Sequence, residues 1–119
     1  MAHAKRLCVQ FQPRRAPSLA VDVVAGLLAS CVTADGVREL FVERGRSDAW
    51  VNFTFTSSST ARTWTAVQAA LRHRRWGRAL QQSTIVTCQG SRGWDDYNLL
   101  HHFDAGEPLD RLTAARVKR

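Results

Sequence analysis

The segment Ala49-Trp50-Val51-Asn52-Phe53-Thr54-Phe55-Thr56 alternates strictly between two kinds of side chain. Val51, Phe53 and Phe55 fall on one face of an extended chain, and the residues between them are polar. A period of two residues predicts a β-strand with one face in the core and the other outside it. The fold is therefore expected to contain a sheet that is buried on one side only.

The segments on either side of this strand extend the pattern. Strand patterns occupy residues 6–11, 37–43, 84–88 and 94–103. Apolar residues at helical spacing occupy residues 19–31 and 64–71, and the second helix is expected to end near Gly77. A five-residue link that contains Gly45 precedes Ala49, which predicts a β-hairpin. The resulting order, β-α-β-β-α-β with an extra C-terminal strand, resembles the split βαβ arrangement of ferredoxin-like domains. That resemblance implies an α+β fold, with an antiparallel sheet and two helices on one of its faces.

Length and composition predict one globular domain. The chain has 119 residues, of which 45% are hydrophobic, and domains of this size are common. We expect the domain to cover residues 1–104, because residues 105–119 contain few apolar side chains and form a basic tail. The longest apolar run, residues 19–32, contains Asp22 and is too short to span a bilayer. No membrane partner is therefore expected.

The cysteines indicate a reducing compartment. Cys8, Cys31 and Cys88 lie far apart in apolar segments and form no C-x-x-C pair. This spacing favours buried free thiols over a zinc site or a disulfide framework. Free thiols persist in the reducing cytoplasm, where we expect the protein to reside. The chain contains neither a P-loop nor an H-E-x-x-H motif, and we predict no cofactor and no metal.

The polar face of the predicted sheet is the first candidate for function. The alternation places Trp50 and Asn52 on this face, beside Cys8 and Gln10 of the first strand. Such a face is too apolar for a plain solvent surface and too polar for a core, which favours its coverage by a partner. We therefore predict a small binding domain rather than an enzyme. Its expected partner is a second copy or another protein, with Trp94 as a further contact residue.

Arginine supplies 15 of the 17 basic residues in a chain of net charge +7. Four arginines are predicted to form a ridge on the outer face of the second helix, beside Trp76: Arg72, Arg74, Arg75 and Arg78. The guanidinium group matches the geometry of phosphates, and basic surfaces attract nucleic-acid backbones. Nucleic-acid binding through this helix face is the alternative function.

The order of elements over residues 5–89 also resembles that of RNA-recognition-motif domains. In that family, aromatic side chains on the first and third strands stack on bases. Here Cys8 occupies the aromatic position of the first strand, whereas Trp50 and Asn52 occupy those of the third. The resemblance therefore extends to the topology and not to the stacking residues.

Carboxylates and imidazoles are most concentrated between residues 94 and 104. Asp95, Asp96, His101 and His102 are of the types that bind metals or transfer protons. Because adjacent residues of a strand point to opposite faces, this strand alone collects no complete set of ligands. Whether the four residues form a site stays open at this point, and catalysis is the least favoured function.

Overall fold

The computed structural model describes residues 5–33 and 37–112. Within these ranges the chain forms an α+β fold with five strands and three α-helices. The strands are β1 (Lys5–Phe11), β2 (Val37–Arg44), β3 (Val51–Ser57), β4 (Thr84–Gly90) and β5 (Gly93–His102). The helices are α1 (Val21–Ala29), α2 (Thr60–Leu71) and α3 (Gly77–Gln81). No helix in the described part of the chain is long and apolar enough to cross a membrane.

The five strands form one sheet in the order β2-β3-β1-β4-β5, and every neighbouring pair is antiparallel. β1 is therefore the middle strand, flanked by β3 and β4. Val9 lies opposite Phe53 of β3 and opposite Val86 of β4. The register thus aligns the apolar residues of three strands in rows across one face.

The core lies between this apolar face and the helices. Phe53, Phe55 and Val9 are at most 1% exposed, and Leu71 of α2 is also buried. Residues of all three helices join the same cluster. The predicted core is confirmed, because the period of two in the strands and the helical period converge on one layer. The opposite face of the sheet carries no helix from the described residues.

The second predicted helix ends before Gly77, the residue at which its end was expected. α2 stops at Leu71, and α3 begins after a turn at Gly77. The Leu71 carbonyl accepts a hydrogen bond of 2.6 Å from the side chain of Gln81. A Cβ atom at Gly77 would lie 2.7 Å from that same carbonyl, so only glycine permits this approach. The chain therefore folds back on the end of α2 instead of extending it, and three α-helices replace the two predicted.

The first residues of the predicted tail lie along β5. The Leu99 backbone N–H donates a hydrogen bond of 2.7 Å to the Asp110 carboxylate. The Asp110 N–H donates to the Leu99 carbonyl at 2.8 Å. Asp110 thus attaches this segment to the outer edge of the sheet. The remainder of the predicted basic tail, residues 113–119, lies outside the described residues.

Candidate binding face

Two adjoining cavities open on the sheet face opposite the helices. The first has a volume of about 380 Å³ and the second about 370 Å³. β1 and β3 form the floor of the first cavity through Cys8, Gln10, Asn52 and Thr54. Both cavities are lined by Trp94 and by Ile85 and Thr87 of β4. They therefore form one depression that crosses the sheet, which we call the open face.

Large aromatic side chains border the open face on both sides. Phe41 of β2 is 37% exposed, whereas Trp94 and Tyr97 of β5 are 41% and 53% exposed. The Arg6 guanidinium lies 5.5 Å from the centroid of the Phe41 ring. Exposed apolar groups gathered on one surface are typical of contact sites. Of these three aromatic residues, only Trp94 was predicted from the sequence as a contact residue, although Phe41 and Tyr97 also occur in alternating strand patterns.

The charge of the open face differs from that of the whole chain. In the part of the chain that the structure describes, its cavities are lined by one cation, Arg6, and by the two carboxylates Glu43 and Glu107. Among the described residues, neither Arg6 nor Glu43 belongs to an ion pair. The described side chains of the open face thus carry no excess of positive charge, although the net charge of the chain is +7.

The two predicted residues of the third strand differ in their surroundings. Asn52 lines the first cavity, and its Oδ1 atom is buried without a hydrogen-bond partner in the described structure. Trp50 precedes the start of β3, and a Cβ atom at Gly45 would overlap its indole ring. The indole therefore packs on the β2–β3 link, which bends through the positive φ angles of Ser47 and Asp48. Trp50 lies at the end of the sheet instead of over the cavities.

The four predicted arginines surround a turn and form no continuous helical ridge. Arg72 caps the end of α2, Arg74 and Arg75 lie in the turn, and Arg78 belongs to α3. All four are exposed, and none belongs to an ion pair with another described residue. The Arg75 guanidinium lies 4.7 Å from the ring centroid of Trp76. The early end of α2 corrects the predicted helix face, but the arginines stay close in the chain as an arginine turn.

The two aspartates of β5 do not contribute to a common site. Asp95 is exposed, whereas Asp96 closes the β4–β5 hairpin. The Asp96 carboxylate accepts hydrogen bonds from the Ser91 hydroxyl at 2.8 Å and from the Arg92 N–H at 2.7 Å. The bond from Ser91, followed by that from Arg92, holds the pKa of Asp96 below its usual value. Asp96 therefore stabilises the turn.

The two histidines lie on opposite faces of the sheet. His101 Nε2 lies 3.0 Å from the Gln81 carbonyl on the helix side, and burial lowers the pKa of His101. His102 lines the second cavity, and its Nδ1 accepts a hydrogen bond of 3.0 Å from the Asp104 N–H. In the described part of the chain, no three His, Cys, Asp or Glu side chains are grouped as a metal would require.

The cysteines do not share one environment. Cys31 and Cys88 are buried, whereas Cys8 is partly exposed in the first cavity. The prediction of three buried thiols is therefore wrong for Cys8, because its side chain points away from the helices. Burial raises the pKa of all three thiols, and a hydrogen bond with Thr54 opposes this effect at Cys8.

Cys8 is expected to react with a maleimide before Cys31 and Cys88 when the native protein is in dilute solution. The partly exposed thiol can be reached through the first cavity, whereas the two buried thiols need local unfolding. Because the pKa of Cys8 is raised, its labelling rate should continue to increase at pH values above the pKa of an ordinary thiol. Mass spectrometry of digested samples gives the order of labelling. The fast phase should vanish in Cys8→Ser, and labelling of Cys88 first would contradict the placement of β1.

Comparisons of the chain with family models, curated proteins and solved structures found no match.

Proposed function

We propose that this chain is a binding domain that contacts a protein partner through its open face, and that this partner is a second copy of the chain. The observation that carries the proposal is a group of three exposed aromatic side chains on a sheet face without excess positive charge. Aromatic residues are enriched in protein interfaces, and charged residues are depleted at their centres.

The distribution of charge favours the open face over other surfaces for self-association. Two chains of net charge +7 repel each other, and the repulsion is strongest where arginines face arginines. The open face, with Arg6 opposed by Glu43 and Glu107, avoids that repulsion. The arginine turn, by contrast, cannot face a second copy of itself without cost.

The size of the open face also fits a dimer. Five strands about 4.8 Å apart and seven residues at about 3.3 Å each give a face of roughly 24 by 23 Å. Its projected area is roughly 550 Å², and side chains raise the accessible area towards the ~800 Å² that each partner buries in a standard interface.

Sedimentation equilibrium at micromolar concentration is expected to give a mass near twice that of the 13.3 kDa chain. Tyr97→Glu should shift the protein to monomer, because the substitution places a charge among apolar contacts of the open face. Leu109→Glu is the matched control: Leu109 is 54% exposed but lines neither cavity. Its mass should stay that of the wild type. A monomeric wild type at tens of micromolar would contradict the proposal.

We also propose that the fold is ferredoxin-like with a fifth strand added beside β4. The order β2-β3-β1-β4, with β1 and β3 as central neighbours, supports this description. A cytoplasmic location belongs to the same proposal, and it is supported by the three unpaired cysteines.

Nucleic-acid binding through the arginine turn is the second candidate function. Four exposed guanidinium groups without carboxylate partners among the described residues favour it. The stacking of Arg75 on Trp76 also holds one guanidinium in a defined orientation. Such a turn suits contacts to the phosphate backbone rather than to base edges.

A further inference from the structure

We propose that two copies pack open face against open face, with Arg6 of each copy paired to Glu43 of the partner subunit. This inference rests on the proposed self-association and adds to it the geometry of the pair. The two-fold axis would pass beside Thr54, and Cys8 would face Cys8 of the partner subunit.

The register places Arg6 and Glu43 at opposite corners of the first cavity. Arg6 on β1 lies opposite Thr56, whereas Glu43 on β2 lies opposite Asn52, which in turn is opposite Gln10. The two charged residues are thus two strands and four residues apart, or about 16 Å between backbone positions. Thr54, which lies opposite both Cys8 and Phe41, is midway between them.

A two-fold interface brings the same surface of both copies together, so residue i meets j and j meets i. When two opposite charges lie on either side of the two-fold axis, each charge of one copy meets the opposite charge of the other copy. An axis through Thr54 therefore creates two Arg6–Glu43 pairs at once. Both side chains are exposed and belong to no ion pair of the described residues, so neither has to leave an oppositely charged partner.

The same axis fixes how the two sheets cross. To exchange the positions of Arg6 and Glu43, the axis must run diagonally over the strands. The strands of the two sheets then cross at a steep angle, nearer to orthogonal than to aligned sheet packing. Both arrangements occur in proteins, so the pairing requires no unusual geometry.

Cys8 becomes a reporter of this arrangement. It lies one strand away from Thr54 and is the only one of the three cysteines that is not buried. Packed sheets are about 10 Å apart, whereas a disulfide needs Cα atoms within about 7 Å. The two thiols should therefore form no disulfide but should be bridged by a short bismaleimide.

The test is a charge swap that is read out by the dimer dissociation constant. Arg6→Glu and Glu43→Arg should each weaken the dimer by about tenfold or more, because like charges then face each other. The double variant Arg6→Glu/Glu43→Arg should recover most of the loss. Arg78→Glu is the matched control for the loss of one arginine away from the open face, and it should not weaken the dimer.

The outcomes separate this inference from the proposed self-association. A dimeric wild type that Tyr97→Glu dissociates, combined with a double variant as weak as the singles, overturns the pairing and leaves the self-association in place. A monomeric wild type overturns both. Bismaleimide should yield a covalent dimer of the wild type and none of Cys8→Ser. Failure to cross-link a dimeric wild type overturns the position of the axis.

Discussion

Phe53→Ala is expected to lower the free energy of unfolding by about 3–5 kcal/mol, the usual cost of removing a buried aromatic ring. Phe53 is 0% exposed and lies between Val9 of β1 and Val42 of β2 in the register of the sheet. Removal of its ring leaves a cavity between the sheet and the helices, which the surrounding strands cannot close without losing their hydrogen bonds. Urea denaturation followed by circular dichroism measures the loss.

Phe41→Ala is the matched control for that experiment. Phe41 lies on the neighbouring strand but on the open face, where it is 37% exposed. Its removal from the monomer should cost about 1–2 kcal/mol, since the partly exposed ring loses less buried area than Phe53, leaves no enclosed cavity and gives up one contact with Arg6. Equal losses for the two variants, or a loss below about 1 kcal/mol for Phe53→Ala, would contradict the assignment of the two faces.

The contrast between these phenylalanines shows what the sequence predicts well. The alternation of Val51, Phe53 and Phe55 is local, because successive side chains of any strand point to opposite faces. It identifies the buried face of β3 without knowledge of its neighbours. The same reasoning does not decide the orientation of β2, because the adjacent residues Phe41 and Val42 are both apolar. In the structure Phe41 lies on the open face, and Val42 is 47% exposed at the edge of the sheet.

The end of α2 depends on contacts that no local pattern contains. Leu71 is the last apolar residue at helical spacing, but residues 72–76 contain no Gly or Pro that would end the helix before Gly77. The break follows from the bond between Gln81 and the Leu71 carbonyl, ten residues away, and from the close approach of Gly77. Both contacts form only when the chain has already turned. For this reason the sequence predicts a helix face for the arginines where the structure has a turn.

The open face was predicted in part. The alternation within their own strands predicts that Asn52 and Cys8 lie on this face. The structure places both in the first cavity. Tyr97 joins the same face only because β5 pairs with β4 on the far side of β1. That pairing is not encoded within β5 itself. A bulge between β4 and β5 further shifts which residues of β5 face the cavities.

The arginine turn predicts a steep dependence of nucleic-acid affinity on salt. If each of its four guanidinium groups contacts one phosphate, the log–log slope on duplex DNA should be about −3.6, from roughly −0.9 per contact. Affinity should then fall about 150-fold between 50 mM and 200 mM salt. Fluorescence anisotropy with a labelled duplex of random sequence measures this slope.

Arg74→Glu/Arg75→Glu should abolish this binding, because it removes two phosphate contacts and adds two repulsive charges. Both residues are exposed in the turn, so the fold should persist. Arg14→Glu/Arg46→Glu is the matched control: it changes the net charge equally at exposed positions outside the turn. Equal losses in the two variants would assign the binding to net charge instead of the turn. A wild type that binds no duplex at low salt would remove the second candidate function, and the open face would then be the one remaining candidate.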